Sequence, residues 1–89
     1  MIIRELEWDD NNTEHTAQHS VSPDEVEDVC FGLHINFPSR DKRYVLYGQT
    51  SAGRYLKVVV KRLYGARFRP ITAFEMTHEE KSHYRKRLK

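Results

Sequence analysis

The chain has 89 residues, a single cysteine and a formal net charge of +2, a size that holds one domain with a small apolar core. Cys30 has no partner for an internal bridge, and its apolar neighbours read as a packed thiol in a reducing compartment, so the expected location is cytoplasmic. The apolar run Val58-Val59-Val60 is far too short to span a bilayer, and the acidic opening does not resemble a signal peptide, so neither membrane insertion nor secretion is expected.

In chain order, residues 2–7 alternate apolar and charged side chains and close on Trp8, which predicts a short strand with one buried face. Asp9 offers an N-cap for a polar first helix over residues 9–19. The second helix is better marked, because Ser22-Pro23-Asp24-Glu25 supplies an N-cap, a proline at the first helical position and a capping-box glutamate. Val26, Val29 and Cys30 form its buried stripe, Glu25, Glu27 and Asp28 face water, and Gly32 ends it. A short strand over 33–37 and a loop through Pro38 and Lys42 precede the clearest segment. Residues 43–49, 54–62 and 67–74 are rich in Val, Tyr, Phe and Ile and separated by two turns containing Gly53 and Gly65, which predicts a three-stranded meander. Thr77-His78-Glu79-Glu80 is a further capping box opening a charged C-terminal helix, with Tyr84 and Leu88 four apart on one face. The expected fold class is α+β: an antiparallel sheet of the meander plus the N-terminal strand, with two helices after the first strand and one at the end.

Charge is divided sharply along this order. Residues 1–39 carry one base, Arg4, against nine acids, and residues 40–89 carry fourteen Lys and Arg against four acids. That is −8 followed by +10, a pattern that points to a polyanion partner, RNA above all. The other reading of the same numbers is that the acidic segments lie against a basic sheet and neutralise it.

Tight hairpins would set Tyr47 opposite Leu56, Val45 opposite Val58 and Val58 opposite Ile71. One face of the sheet then gathers Val45, Tyr47, Leu56, Val58, Val60, Ile71 and Ala73, with Arg43, Arg54 and Arg69 at its rim. The other gathers Tyr44, Leu46, Tyr55, Lys57, Val59, Lys61, Phe68 and Phe74, interleaving rings with lysines. Two readings of this second face stand: a surface where phosphates meet cations and bases stack on rings, or a face packed under helices with its lysines snorkelling to the edge. His15 and His19 have the i, i+4 spacing of a metal pair, but no HExxH pattern or further ligand set accompanies them, so no metal and no cofactor is expected.

A set of short motifs runs through some eighty residues. These are Leu6-Glu7-Trp8-Asp9, Asn12-Thr13-Glu14-His15, His19-Ser20-Val21-Ser22, Glu25 through Gly32, Arg43-Tyr44, Gly48-Gln49-Thr50, Gly53-Arg54-Tyr55-Leu56, Thr72-Ala73, Glu75-Met76-Thr77 and Tyr84. In order and spacing they resemble the BrnT-type toxins, small ribonucleases of bacterial type II toxin–antitoxin pairs that share a fold with the RelE-type messenger-RNA-cutting toxins. The resemblance implies metal-independent RNA cleavage by attack of the 2′-hydroxyl, assisted by basic side chains and a tyrosine. It also implies a BrnA-like, DNA-binding protein antitoxin, in a toxin–antitoxin hetero-oligomer or alongside a homodimer. At matching positions the expected catalytic residues are Arg54 and Arg69 for the phosphate, Lys57 assisting, and Tyr84 as proton donor or positioning group. Arg40, Lys42, Arg43, Tyr44, Tyr55, Lys61 and Arg62 are the expected RNA contacts.

Two positions depart from the family pattern. Phe74 stands where an arginine is expected after Thr72-Ala73, and Ser20 replaces a glycine at a helix C-terminus. The first change leaves open a non-catalytic RNA- or partner-binding module of the same fold.

Overall fold

The computed structural model describes residues 1–88. Its elements are β1 (Glu5–Leu6), α1 (Asp10–Ala17), α2 (Pro23–Phe31), β2 (His34–Pro38), β3 (Arg43–Gln49), β4 (Tyr55–Tyr64), β5 (Arg67–Glu75) and α3 (His78–Arg87). The strands form one sheet in the order β1-β5-β4-β3-β2. The α+β class and the helix placement follow the expectation from sequence, with one change of direction. β1 is reduced to two residues and pairs with β5 in parallel, so the sheet is mixed rather than antiparallel. Each hairpin from β2 to β5 reverses the chain, which leaves β5 pointing along β1, and α1 and α2 carry the connection across the sheet.

All three helices start on capping boxes. The Asp9, Ser22 and Thr77 side chains accept from the N3 amides, and the Asn12, Glu25 and Glu80 side chains return the bond to the cap amides. Asn12 does more than cap, because it is buried, and its Nδ2 donates to the carbonyls of Glu7 and Pro70, both at 2.9 Å. This satisfied polar group fastens the start of α1 to β5. α1 and α2 cover one face of the sheet. Val26, Val29 and Cys30 meet Leu46, Leu56, Val58, Val60, Phe68 and Ala73 there, with Val21 and Ile3 closing the ends. Burial pushes the Cys30 thiol up to about 12, as expected of a packed, unreactive cysteine.

The register differs from the expected one, and the hairpin loop is the reason. Thr50 N–H donates to the Arg54 carbonyl at 2.8 Å and Gly53 N–H to the Thr50 carbonyl at 2.9 Å, with Gly53 at φ +94°. The loop is therefore three residues, Ser51 to Gly53, with a left-handed glycine closing it. An odd loop moves the pairing by one, to Tyr47↔Lys57, Val45↔Val59 and Leu46↔Val58, and a shift of one turns every β3 side chain over. Leu46 and Tyr44 consequently point to the core, and Arg43, Val45 and Tyr47 to the opposite face. Between β4 and β5 the pairing is Val58↔Ala73, and it slips at Val59/Val60, where Ile71 is the extra residue beside Pro70. A bulge next to a proline is the usual place for a residue that cannot donate to the ladder. It returns Phe68 to the core.

α3 lies across one end of the other face. Tyr84 is 5% exposed and anchors it, whereas Leu88, expected as a second anchor, is 45% exposed. The edge-on contact of Tyr84 with Tyr55, at 6.0 Å between centroids, is the main apolar link.

At the end of α1, Val21 N–H bonds the Thr16 carbonyl and Ser20 N–H the Ala17 carbonyl, which is a Schellman motif with Ser20 at the left-handed position, φ 58°. A serine held there is strained, while glycine would regain some freedom in the unfolded chain. Ser20→Gly is expected to raise stability by a net of about 0.5–1 kcal/mol, read as a higher urea midpoint at unchanged m-value.

Candidate nucleic-acid interface

Because β4 keeps its expected alternation, Tyr55, Lys57, Val59 and Lys61 line the face away from α1 and α2. Tyr47, Val45 and Arg43 join them from β3. Tyr55 is the centre of one cluster. Lys81 Nζ lies 5.1 Å and the Arg85 guanidinium carbon 5.0 Å from its ring centroid, and Arg85 Nε donates to its hydroxyl at 3.2 Å. Both cations come from α3, one turn apart beside Tyr84. Among the described residues neither has a carboxylate within salt-bridge distance. Lys81 and Arg85 were not among the site residues expected from sequence. Their i, i+4 spacing next to the buried Tyr84 is the signal that could have found them.

Tyr55 accordingly differs from the open stacking platform suggested by sequence, since its ring is occupied by the chain's own cations. Lys57 stands two residues along β4, its Nζ 5.7 Å from the Phe74 centroid and 2.8 Å from Glu80 Oε2. Burial pushes the Glu80 carboxyl up, but hydrogen bonds from Lys57 and the Thr77 amide outweigh it and hold the group below its ordinary range. Tyr47 donates a weak bond to the same carboxylate at 3.4 Å. Tyr84 is shut under the helix, and burial, then the neighbouring Tyr55, raises its phenol and keeps it protonated.

The far end of the face carries a second group. Arg43 is directly across from Lys61, and Lys61 directly across from Arg69, so three cations stand in a row over three strands. Like charges facing each other across a ladder are unfavourable by a few tenths to about 1 kcal/mol per pair unless something anionic meets them. Arg69 is met from within, as Nη1 donates to Asp9 Oδ2 at 2.7 Å and lies 3.8 Å from Glu7 Oε2. The hydrogen bond from Arg69, then that from the Asn12 amide, pulls the Asp9 carboxyl down. Arg43 and Lys61 have no such acid among the described residues.

Arg54 is held more completely than any other cation among the described residues. Its Nη1 donates to the Ser20 carbonyl at 2.6 Å and to both Glu25 oxygens at 3.0 and 3.1 Å, and its Nε to Glu75 Oε1 at 3.0 Å. Glu25, expected to face water, is thus the acid that ties α2 to the start of β4. The structure does not bring the four expected catalytic residues together. Arg54 sits at the hairpin mouth and Arg69 toward the far end, each on carboxylates of the leading segments, while Lys57 and Tyr84 share the α3 side. Tyr44 is also reassigned: the register turns it onto the core, edge-on to Phe68 at 6.1 Å. Arg40 and Lys42 flank the β2–β3 turn, where Asp41 and Lys42 both adopt positive φ, and Arg62 Nε bonds the Gly65 carbonyl at 3.0 Å.

No group of three or more metal-ligating side chains converges among the described residues, and His19 packs on Phe74 with centroids 4.4 Å apart. No described helix is long and apolar enough to cross a membrane. Compared with family models, curated proteins and solved structures, the chain matches none.

The ion pairs and the hydrogen bonds that carboxylates accept set a pH response. Asp9, Glu25, Asp28 and Glu80 all have folded-state pKa values lowered relative to the unfolded chain. The unfolded state therefore binds more protons, and their stabilisation, full above the ordinary carboxylate range near pH 4, is lost as pH falls through the depressed values. Urea midpoints should drop steeply below about pH 4, and Asp9→Asn should flatten that slope. An unchanged slope would mean that the Arg69 contact is not formed in solution.

Proposed function

We propose that this chain is an endoribonuclease toxin of the BrnT type, cutting RNA without metal and neutralised by a protein antitoxin, with its phosphate-holding cations on the surface shared by β4 and α3. The carrying observation is the distribution of cations without acids. Lys81 and Arg85 gather on Tyr55 at one end of the β4 face and Arg43 and Lys61 face each other at the other, while Lys57, between them, is held by Glu80. From Tyr55 to Lys61 the strand rises about 20 Å, room for a short single-stranded segment to lie along it. The motif resemblance adds the reaction class.

In that chemistry the 2′-hydroxyl attacks the adjacent phosphorus, negative charge grows on the non-bridging oxygens, and the 5′-oxygen leaves with a proton. Arg85 and Lys81 are suited to the growing charge, being free of carboxylates and fixed in place by the Tyr55 ring. Lys57 assists once Glu80 yields it. The Tyr55 hydroxyl, which accepts from Arg85, is a group beside these cations able to pass a proton. Tyr84 acts as a positioning residue, because its phenol is closed off beneath α3. Arg54 and Arg69 act in this reading by holding α2 and α1 to the sheet.

A second reading is a non-catalytic RNA- or partner-binding module of the same fold. Two observations favour it: both expected phosphate-binding arginines are taken up by acids, and Phe74 occupies the place of an arginine. One assay separates the readings. Purified protein with single-stranded RNA in EDTA should give cleavage, and Arg85→Ala or Lys57→Ala should each slow it by about a hundredfold with the far-UV circular dichroism unchanged. Binding without any cleavage, restored to cleavage in Phe74→Arg, selects the second reading. Absence of both binding and cleavage at moderate salt removes the ribonuclease reading and the RNA-binding form of the second.

A further inference from the structure

The outer edge of the sheet at β2 is unpaired, and its surroundings are complementary to themselves. Ser39 N–H donates to the Arg43 carbonyl at 2.8 Å, so by the alternation of an antiparallel ladder Ile35 and Phe37 turn their backbone groups toward β3, and His34, Asn36 and Pro38 turn theirs outward. No other strand meets these groups. Pro38 lacks a donor, but it is the last residue of the strand and loses only a terminal bond. Exposed apolar side chains flank the edge, with Leu33 77%, Phe31 50% and Phe37 40% exposed. Phe37 also borders a groove of about 460 Å³ between β2 and α3, walled by Ile35, Tyr47 and Tyr84.

Charge differs between the two ends of the strand. At its start, Asp24, Glu27 and Asp28 line a hollow with Phe31 and Gly32. At its end stand Arg40 and Lys42. Asp24 and Glu27 have no salt-bridge partner among the described residues, in contrast to Glu25 on the same helix.

We infer that β2 is a self-association edge, pairing antiparallel with β2 of a second copy about a two-fold axis near Asn36. In that arrangement the start of each strand lies beside the end of the other, so the acids around Phe31 face the partner's Arg40 and Lys42 at both ends. Asn36 pairs with its own copy, His34 donates to the partner's Pro38 carbonyl, and Ile35 comes opposite the partner's Phe37. The sheet continues across the junction, and the two grooves beside α3 meet on one face. A partner of uniform charge would satisfy only one end of this strand, which is why a second copy fits better. This inference does not rest on the RNA reading, because it uses neither the Tyr55 cluster nor the Arg43–Lys61 pair.

The experiment is analytical ultracentrifugation of the full chain at high micromolar concentration and low salt, with two charge-reversed variants. Asp24→Lys with Glu27→Lys makes both ends basic, and Arg40→Glu with Lys42→Glu makes both ends acidic. Each variant alone should dimerise at least about tenfold more weakly than the parent, equivalent to about 1.4 kcal/mol. An equimolar mixture should recover a dimer, because every junction is again between opposite charges. Asn36→Pro, which removes an outward amide and leaves the β3 ladder intact, should give a monomer whose thermal midpoint matches the parent's when both are diluted to where the parent is monomeric. A parent that stays monomeric, variants that dimerise as well as the parent, or a mixture that stays monomeric beside a dimeric parent would each overturn the inference.

Discussion

The contact of Arg54 with Glu25, Glu75 and the Ser20 carbonyl ties together the end of α1, the start of α2, the β3–β4 hairpin and the end of β5. Desolvation works against the charged guanidinium, and the carboxylate bonds more than offset it, leaving Arg54 firmly protonated. Loss of Arg54 would leave the partly buried Glu25 carboxylate without its cation, and such groups cost more to orphan than they contribute when paired. The same logic applies on the other side of the sheet, where Arg67 meets Glu5 and Glu7 and Arg69 meets Asp9. The acidic leading third is in this way a counter-charge for the first layer of arginines.

That neutralisation decides which surface is left for a partner. Once Arg54, Arg67 and Arg69 are occupied, Lys81 and Arg85 on α3 and Arg43 and Lys61 on the β4 face belong with the cations left without a carboxylate among the described residues, as do Arg40 and Lys42 at the β2–β3 turn. Arg54, Arg67 and Arg69 hold the fold, and these others carry no carboxylate. The two readings of the charge asymmetry are therefore compatible: part of the basic half is neutralised from within, and part is not. Phe74 fits the same division, since its ring packs on His19 and under Lys57 rather than presenting a charge.

The motif resemblance and the geometry weight different residues. The resemblance points to Arg54 and Arg69, whereas the fold sets both into intramolecular ion pairs and leaves Lys81 and Arg85 of α3 without carboxylates among the described residues. Catalysis through the α3 cations and catalysis lost are separated by whether a group free of carboxylates can reach the scissile phosphate. Glu80 is the hinge of that question, because it holds Lys57 on one oxygen and caps α3 with the other.

Local chemistry was determined by the sequence alone. The Ser22 and Thr77 capping boxes, the Asp9 cap, the Val26-Val29-Cys30 stripe and the presence of each meander strand all depend on residues within a few positions of one another, and all are found where the side chains predict them. Only the tertiary structure decided the β3 register, the reach of each cation to an acid and the parallel β1. A hairpin loop of three residues in place of an even one exchanged Leu46 for Val45 in the core and drove Tyr44 inward, a change of one residue that no propensity registers. Ion pairing across separations such as Arg69 to Asp9 or Arg54 to Glu25 depends on strands and helices already packed. The charges are written in the chain, and which of them remain uncompensated is set by the fold that brings distant segments within a hydrogen bond of each other.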